Sequence, residues 1–104
     1  MKIHTNDGWT ELIVDRDCGY NKFYAVADIL QTEFSLTFTQ KLNDLESSYW
    51  DFQFKGCELT LHYHVQAWLS IFPVAVKKAS DADNKSVAEL GDLLSQYFIN
   101  HNSK

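Results

Sequence analysis

Arginine is almost absent from this chain: Arg16 is the only one among nine Lys and Arg residues. Proteins that grip nucleic acid concentrate Arg and Lys on one face to neutralise phosphates. One arginine with scattered lysines therefore predicts no nucleic-acid partner. Cysteine is equally scarce. Cys18 and Cys57 stand far apart, outside any C-x-x-C or zinc-ligand spacing. Glycine occurs four times without clustering, so no Gly-rich loop is available to cradle a phosphate. No apolar run approaches the roughly eighteen residues of a membrane span, which predicts no membrane partner. The opening segment, Met1 to Gly8, turns polar at once and does not read as an export signal. Together these absences predict a cytoplasmic protein with both thiols reduced.

What is present fits one domain. The chain has 104 residues, 45% of them hydrophobic and 22% charged, enough to build one core but not two. Residues 1–104 are expected to form a single domain ending in a polar tail over about 100–104. Net charge is −5, compatible with solubility in the cytosol and repelled by anionic membrane surfaces. Aromatic residues are plentiful: seven Phe, five Tyr and three Trp.

Hydrophobic periodicity orders the elements. Residues 9–14 read as a strand, followed by a helix over 20–34 whose Phe23, Val26, Ala27, Leu30 and Phe34 share one face. Asn21 or Asp17 is the expected cap of that helix. Residues 36–40 alternate as a second strand. Residues 48–54 put Trp50, Phe52 and Phe54 on one side and Tyr49, Asp51 and Gln53 on the other. Lys55-Gly56 is a two-residue hairpin turn, and the return strand 57–64 pairs Tyr49 with His62, Asp51 with Thr60 and Phe52 with Leu59. A fifth strand, 67–76, is apolar on both faces, so its orientation stays open. Pro73 marks a bulge or an edge there. After a polar loop, Ser86-Val87-Ala88-Glu89 reads as a capping box opening a second helix striped with Val87, Leu90, Gly91, Leu94, Tyr97 and Phe98. Gly91 is expected to admit a bulky ring from the sheet. The order β-α-β-β-β-β-α predicts an α+β two-layer sandwich, an antiparallel meander of about five strands with two helices.

Few constellations carry chemistry. His62 and His64 project from one strand face about 7 Å apart, the spacing of a metal pair. Glu58 sits too far along the strand to join them, and two histidines on a solvated face explain the pattern as well. Tyr49, Asp51 and His62 can meet across the hairpin, an arrangement open to general-base chemistry or to plain cross-strand pairing. Cys57 falls on the apolar face, while Cys18 neighbours Asp15 and Asp17, which do not activate a thiol. No catalytic set, cofactor motif or calcium loop is assembled. Trp9, Tyr49, Trp68 and Phe72 are not all placeable in the core: either the second helix covers them, or they form a partner groove or homodimer face, since Trp and Tyr are enriched in binding hot spots.

The runs Tyr49-Trp50-Asp51-Phe52, Leu59-Thr60-Leu61-His62 and Ile71-Phe72-Pro73, with Gly56 between the first two, resemble the signature of a family of small bacterial, mainly proteobacterial, proteins of unknown function. The resemblance implies a bacterial cytoplasmic protein and draws attention to His62 and the Tyr49-Trp50 pair without giving them roles. The leading expectation is a non-enzymatic binding or accessory protein that contacts a protein partner or itself through Tyr49, Asp51, His62, Trp68 and Phe72. The alternatives are a metal-dependent or general-base enzyme on the polar face of the 48–64 hairpin, and an immunity-type inhibitor of a basic toxin.

Overall fold

The computed structural model describes residues 1–6 and 8–101. Its elements are β1 (Lys2–Asn6), β2 (Trp9–Asp15), α1 (Tyr20–Thr32), β3 (Phe38–Asn43), β4 (Ser47–Phe54), β5 (Cys57–His64), β6 (Leu69–Pro73), a 3-10 turn at Val76–Lys78 and α2 (Asp81–His101). The strands form one antiparallel sheet in the order β1-β2-β6-β5-β4-β3. The fold is α+β with two helices, as expected, but with six strands rather than five.

The β4–β5 hairpin carries the expected register throughout, from Ser47 opposite His64 to Phe54 opposite Cys57. Its turn places Lys55 and Gly56 at φ of 54° and 81°. Both central residues of a type I′ turn need positive φ, and the twist of that turn suits the flanking strands. The extra strand, β1, pairs with β2 along its length. Periodicity does not reveal it because β1 is an edge, exposed from Lys2 to Thr5. Ile3, opposite Leu12, is the side chain it turns toward the core.

Both helices lie on one face of the sheet. Phe23, Val26, Ala27 and Leu30 of α1, with Val87, Leu90 and Leu94 of α2, enclose Leu12, Phe52, Leu59, Leu61, Leu69 and Ile71 in a single core. Each fully buried side chain of this size contributes about 1.5–3 kcal/mol relative to exposure. Aromatic edges tie α1 down: Phe23 meets Trp50 at 4.9 Å and Tyr20 meets Tyr63 at 4.7 Å, both near perpendicular. The Tyr63 hydroxyl donates to the Cys18 carbonyl (2.9 Å), anchoring the segment that leads into α1.

Several local expectations are corrected. The N-cap of α1 is Gly19, with no side-chain cap, rather than Asn21 or Asp17. The capping box of α2 lies six residues earlier than Ser86. Ser80 Oγ accepts from the Asp83 N–H (3.1 Å) and Asp83 Oδ2 accepts from the Ser80 N–H (3.0 Å). That pairing draws much of the expected polar loop into the helix. Ser86 instead turns inward, its hydroxyl donating to Cys57 Sγ at 3.3 Å, while Glu89 pairs with Lys55. A Cβ on Gly91 would stand 3.1 Å from Leu12 Cδ1, so the close approach is real, but it admits an aliphatic side chain and not a ring. Pro73 is the last residue of β6, a central strand, not an edge. The bulge lies on β2, between Ile13 and Asp15. Beside Pro73, the Thr10 N–H bonds to Asn84 Oδ1 (2.9 Å). Asn100 and His101 extend α2 rather than beginning a tail, and residues 102–104 lie outside the described residues.

Candidate functional site

The second face of the sheet carries no helix. Pairing places one residue of each strand in a row across it: Lys2, Ile13, Ser70, His62, Tyr49 and Leu42. The neighbouring row runs from His4 through Glu11 to Phe72, Thr60, Asp51 and Gln40. The orientation of β6, open from sequence, is thereby decided: Leu69 and Ile71 enter the core, while Ser70 and Phe72 face outward with Trp68 beside them. Tyr49, Asp51, His62, Trp68 and Phe72 thus share this face, and Trp9 joins them through Phe72 (5.9 Å, edge to face). Neither helix covers these rings.

The rings thatch the face instead of leaving it bare. Tyr49 stacks on His62 at 4.4 Å and Phe72 leans on the same imidazole at 5.7 Å. Beneath them Ser70 is wholly buried and Ile13 nearly so. His62 Nε2 and Ser70 Oγ are buried without a hydrogen-bond partner among the described residues, an arrangement that costs stability. Burial holds the His62 imidazole below its ordinary range, His64 adds to that, and the Glu11 carboxylate opposes it. His62 is therefore a neutral aromatic member of the surface near neutral pH.

Three polar contacts organise the rest. Thr60 donates to Asp51 Oδ1 at 2.7 Å, so Asp51 is held by its cross-strand neighbour rather than by His62. The Trp68 indole N–H donates to Glu11 Oε2 at 3.2 Å. Arg16, on the loop after β2, lays its guanidinium 4.7 Å from the centre of the Trp68 ring. Glu11 and Arg16 were not legible as members of this site. Their place depends on β2 pairing with β6, a contact between strands far apart in sequence.

His62 and His64, the histidines of the hairpin, are engaged differently. His64 Nδ1 accepts from the Gln66 N–H (2.9 Å), and no group of three His, Cys, Asp or Glu among the described residues is arranged to hold a metal. Cys57 is buried in the core, and burial together with Asp15 raises the Cys18 thiol, disfavouring the nucleophilic thiolate. A cleft of about 700 Å³ lies elsewhere, on the helix side, lined by Val14, Lys22, Ser95, Tyr97 and Phe98 among others. None of the candidate residues borders it. No helix among the described residues is long and apolar enough to cross a membrane.

Comparison with known proteins brings no assignment: no family model, no curated protein and no solved structure matches the chain.

Proposed function

We propose that this chain is a small binding or accessory protein of the bacterial cytoplasm that docks a protein partner on the uncovered sheet face. The observation that carries the reading is the collection of Trp9, Tyr49, Trp68 and Phe72 on the face that neither helix covers. Rigid aromatic side chains give large contact area at small entropic cost, which is why they concentrate in hot spots. Leu42, 57% exposed, and Tyr49, 37% exposed, continue the apolar surface to the β3 edge. Six strands spaced about 4.8 Å apart give a platform wide enough for an interface of ordinary size, about 800 Å² per partner.

The test is site-specific photo-cross-linking in the native cell. A benzophenone side chain at Tyr49 should form a discrete protein adduct. The same probe at Tyr24, an exposed ring on α1, should form none. Adducts from position 24 alone, or from neither position, would refute docking through this face.

A further inference from the structure

The charges of the open face say what kind of surface fits it. Glu11 and Asp51 stand in one row, separated by β6 and β5, about 14 Å apart at ordinary strand spacing. Glu58 is exposed on the same side, one pair along the hairpin. Among the described residues none of these carboxylates makes an ion pair. Lys2 is the only lysine on the two rows, at the β1 edge. Glu11 is buried, 9% exposed, with its carboxylate bonded to the Trp68 N–H, while Asp51 is half-buried and Glu58 exposed, so carboxylates without an ion pair lie behind and between the rings.

One cation already uses this surface. Arg16 lies over Trp68, whose N–H is bonded to Glu11. An indole that donates to a carboxylate gains electron density on its ring, which strengthens its hold on a cation above it. Arg16 is exposed and makes no ion pair among the described residues, so its contact on this face is with the Trp68 ring. The Glu11–Trp68 pair is in effect an arginine subsite occupied from within the chain.

We infer that the open face takes a basic protein segment presenting arginine side chains, with Glu11–Trp68 as one subsite and Asp51 beside Tyr49 as the next. The inference rests on the docking reading above and names its partner's chemistry. Guanidinium suits the site better than ammonium, because it is planar, stacks on rings and is weakly hydrated. A second copy of this chain fits less well. A two-fold axis along the strands at the β5–β6 seam lays Glu11 of one copy over Asp51 of the other, and like charges across an interface are repulsive.

The test titrates the full chain with an arginine nonamer and, separately, a lysine nonamer, followed by tryptophan fluorescence at about 50 mM salt. The arginine nonamer should bind about five-fold more tightly or better. Arg16→Ala should raise its affinity about three-fold by vacating Trp68 and removing a competing cation. Glu11→Gln with Asp51→Asn should lower it about ten-fold, circular dichroism confirming an unchanged fold. Equal affinity for the two nonamers, no binding of either, or no effect of Arg16→Ala would overturn the inference. Self-association of the chain in sedimentation, abolished by Tyr49→Asp, would overturn it too while leaving the docking face intact. Failure of cross-linking from position 49 would remove that face itself.

Discussion

The two faces of this sheet are built from the same kinds of residue and arranged to opposite ends. On the helix side Trp50 and Tyr63 pack edge to face under α1, and Phe52 packs edge to face against Phe38 of β3. On the open side Tyr49, Phe72 and Trp68 lie over the strands with no helix above them, only the Arg16 guanidinium over Trp68. The first arrangement removes apolar surface from water during folding. The second buries Ser70 and Ile13 beneath the rings but leaves half-exposed ring faces and carboxylates side by side. Aromatic content alone therefore does not measure the core; the face on which a ring falls decides whether it is packed under a helix or left without one.

The largest way to break the comparison is to delete matched rings. Phe52→Ala, in the core, should cost about 3–5 kcal/mol, as other buried Phe truncations do. Phe72→Ala, half-buried on the open face, should cost no more than about 1.5 kcal/mol. Urea unfolding of the two variants measures both, and equal losses would make the open face a second core. Next in size, Ser80→Ala should destabilise by about 1 kcal/mol through loss of its capping box. The exposed Leu45, 95% accessible, should tolerate Leu45→Ala within about 0.5 kcal/mol.

A pH series sharpens the contrast further. His62 is held below its ordinary value of 6.5 by burial under Tyr49 and Phe72, with His64 adding to the effect and Glu11 opposing it. The unfolded chain therefore binds a proton at a pH where the folded one does not. Stability should be fully present above about 6.5 and fall as the pH drops from there toward the folded value. His62→Gln should flatten that slope. An unchanged slope would place the titrating group elsewhere.

The parts of this architecture that were legible in the sequence are those governed by local pattern. Strict alternation in 48–54 and 57–64, joined by Lys55-Gly56, admits one register, and every pair expected there is observed. The helical stripes fall on buried positions at Phe23, Val26, Ala27, Leu30, Val87, Leu90, Gly91 and Leu94, but α1 ends at Thr32, before Phe34, and Phe34, Tyr97 and Phe98 are only partly buried. What stayed hidden depends on distant contacts. β1 has the pattern of a polar edge, and only its pairing with β2 makes it a strand. The 67–76 stretch, apolar on both sides, takes its orientation from the turn after His64 and from β2 across it. Ser80 and Ser86 both stand three residues before an acid. The earlier one caps α2, because Ser86 is drawn into the core against Cys57. The candidate site was half visible: the residues of the hairpin and β6 were named, but Glu11 and Arg16 arrive through the β2–β6 pairing.

The three tryptophans allow the central claim to be tested in one spectrum. Trp50 marks the helix-covered face, its N–H held by Asn43, while Trp9 and Trp68 mark the open one. In ¹⁵N-labelled protein titrated with the arginine nonamer, the indole resonances of Trp68 and Trp9 should shift progressively to saturation while that of Trp50 stays in place. Movement of Trp50 alone, or of all three to the same extent, would contradict a docking surface confined to the open face.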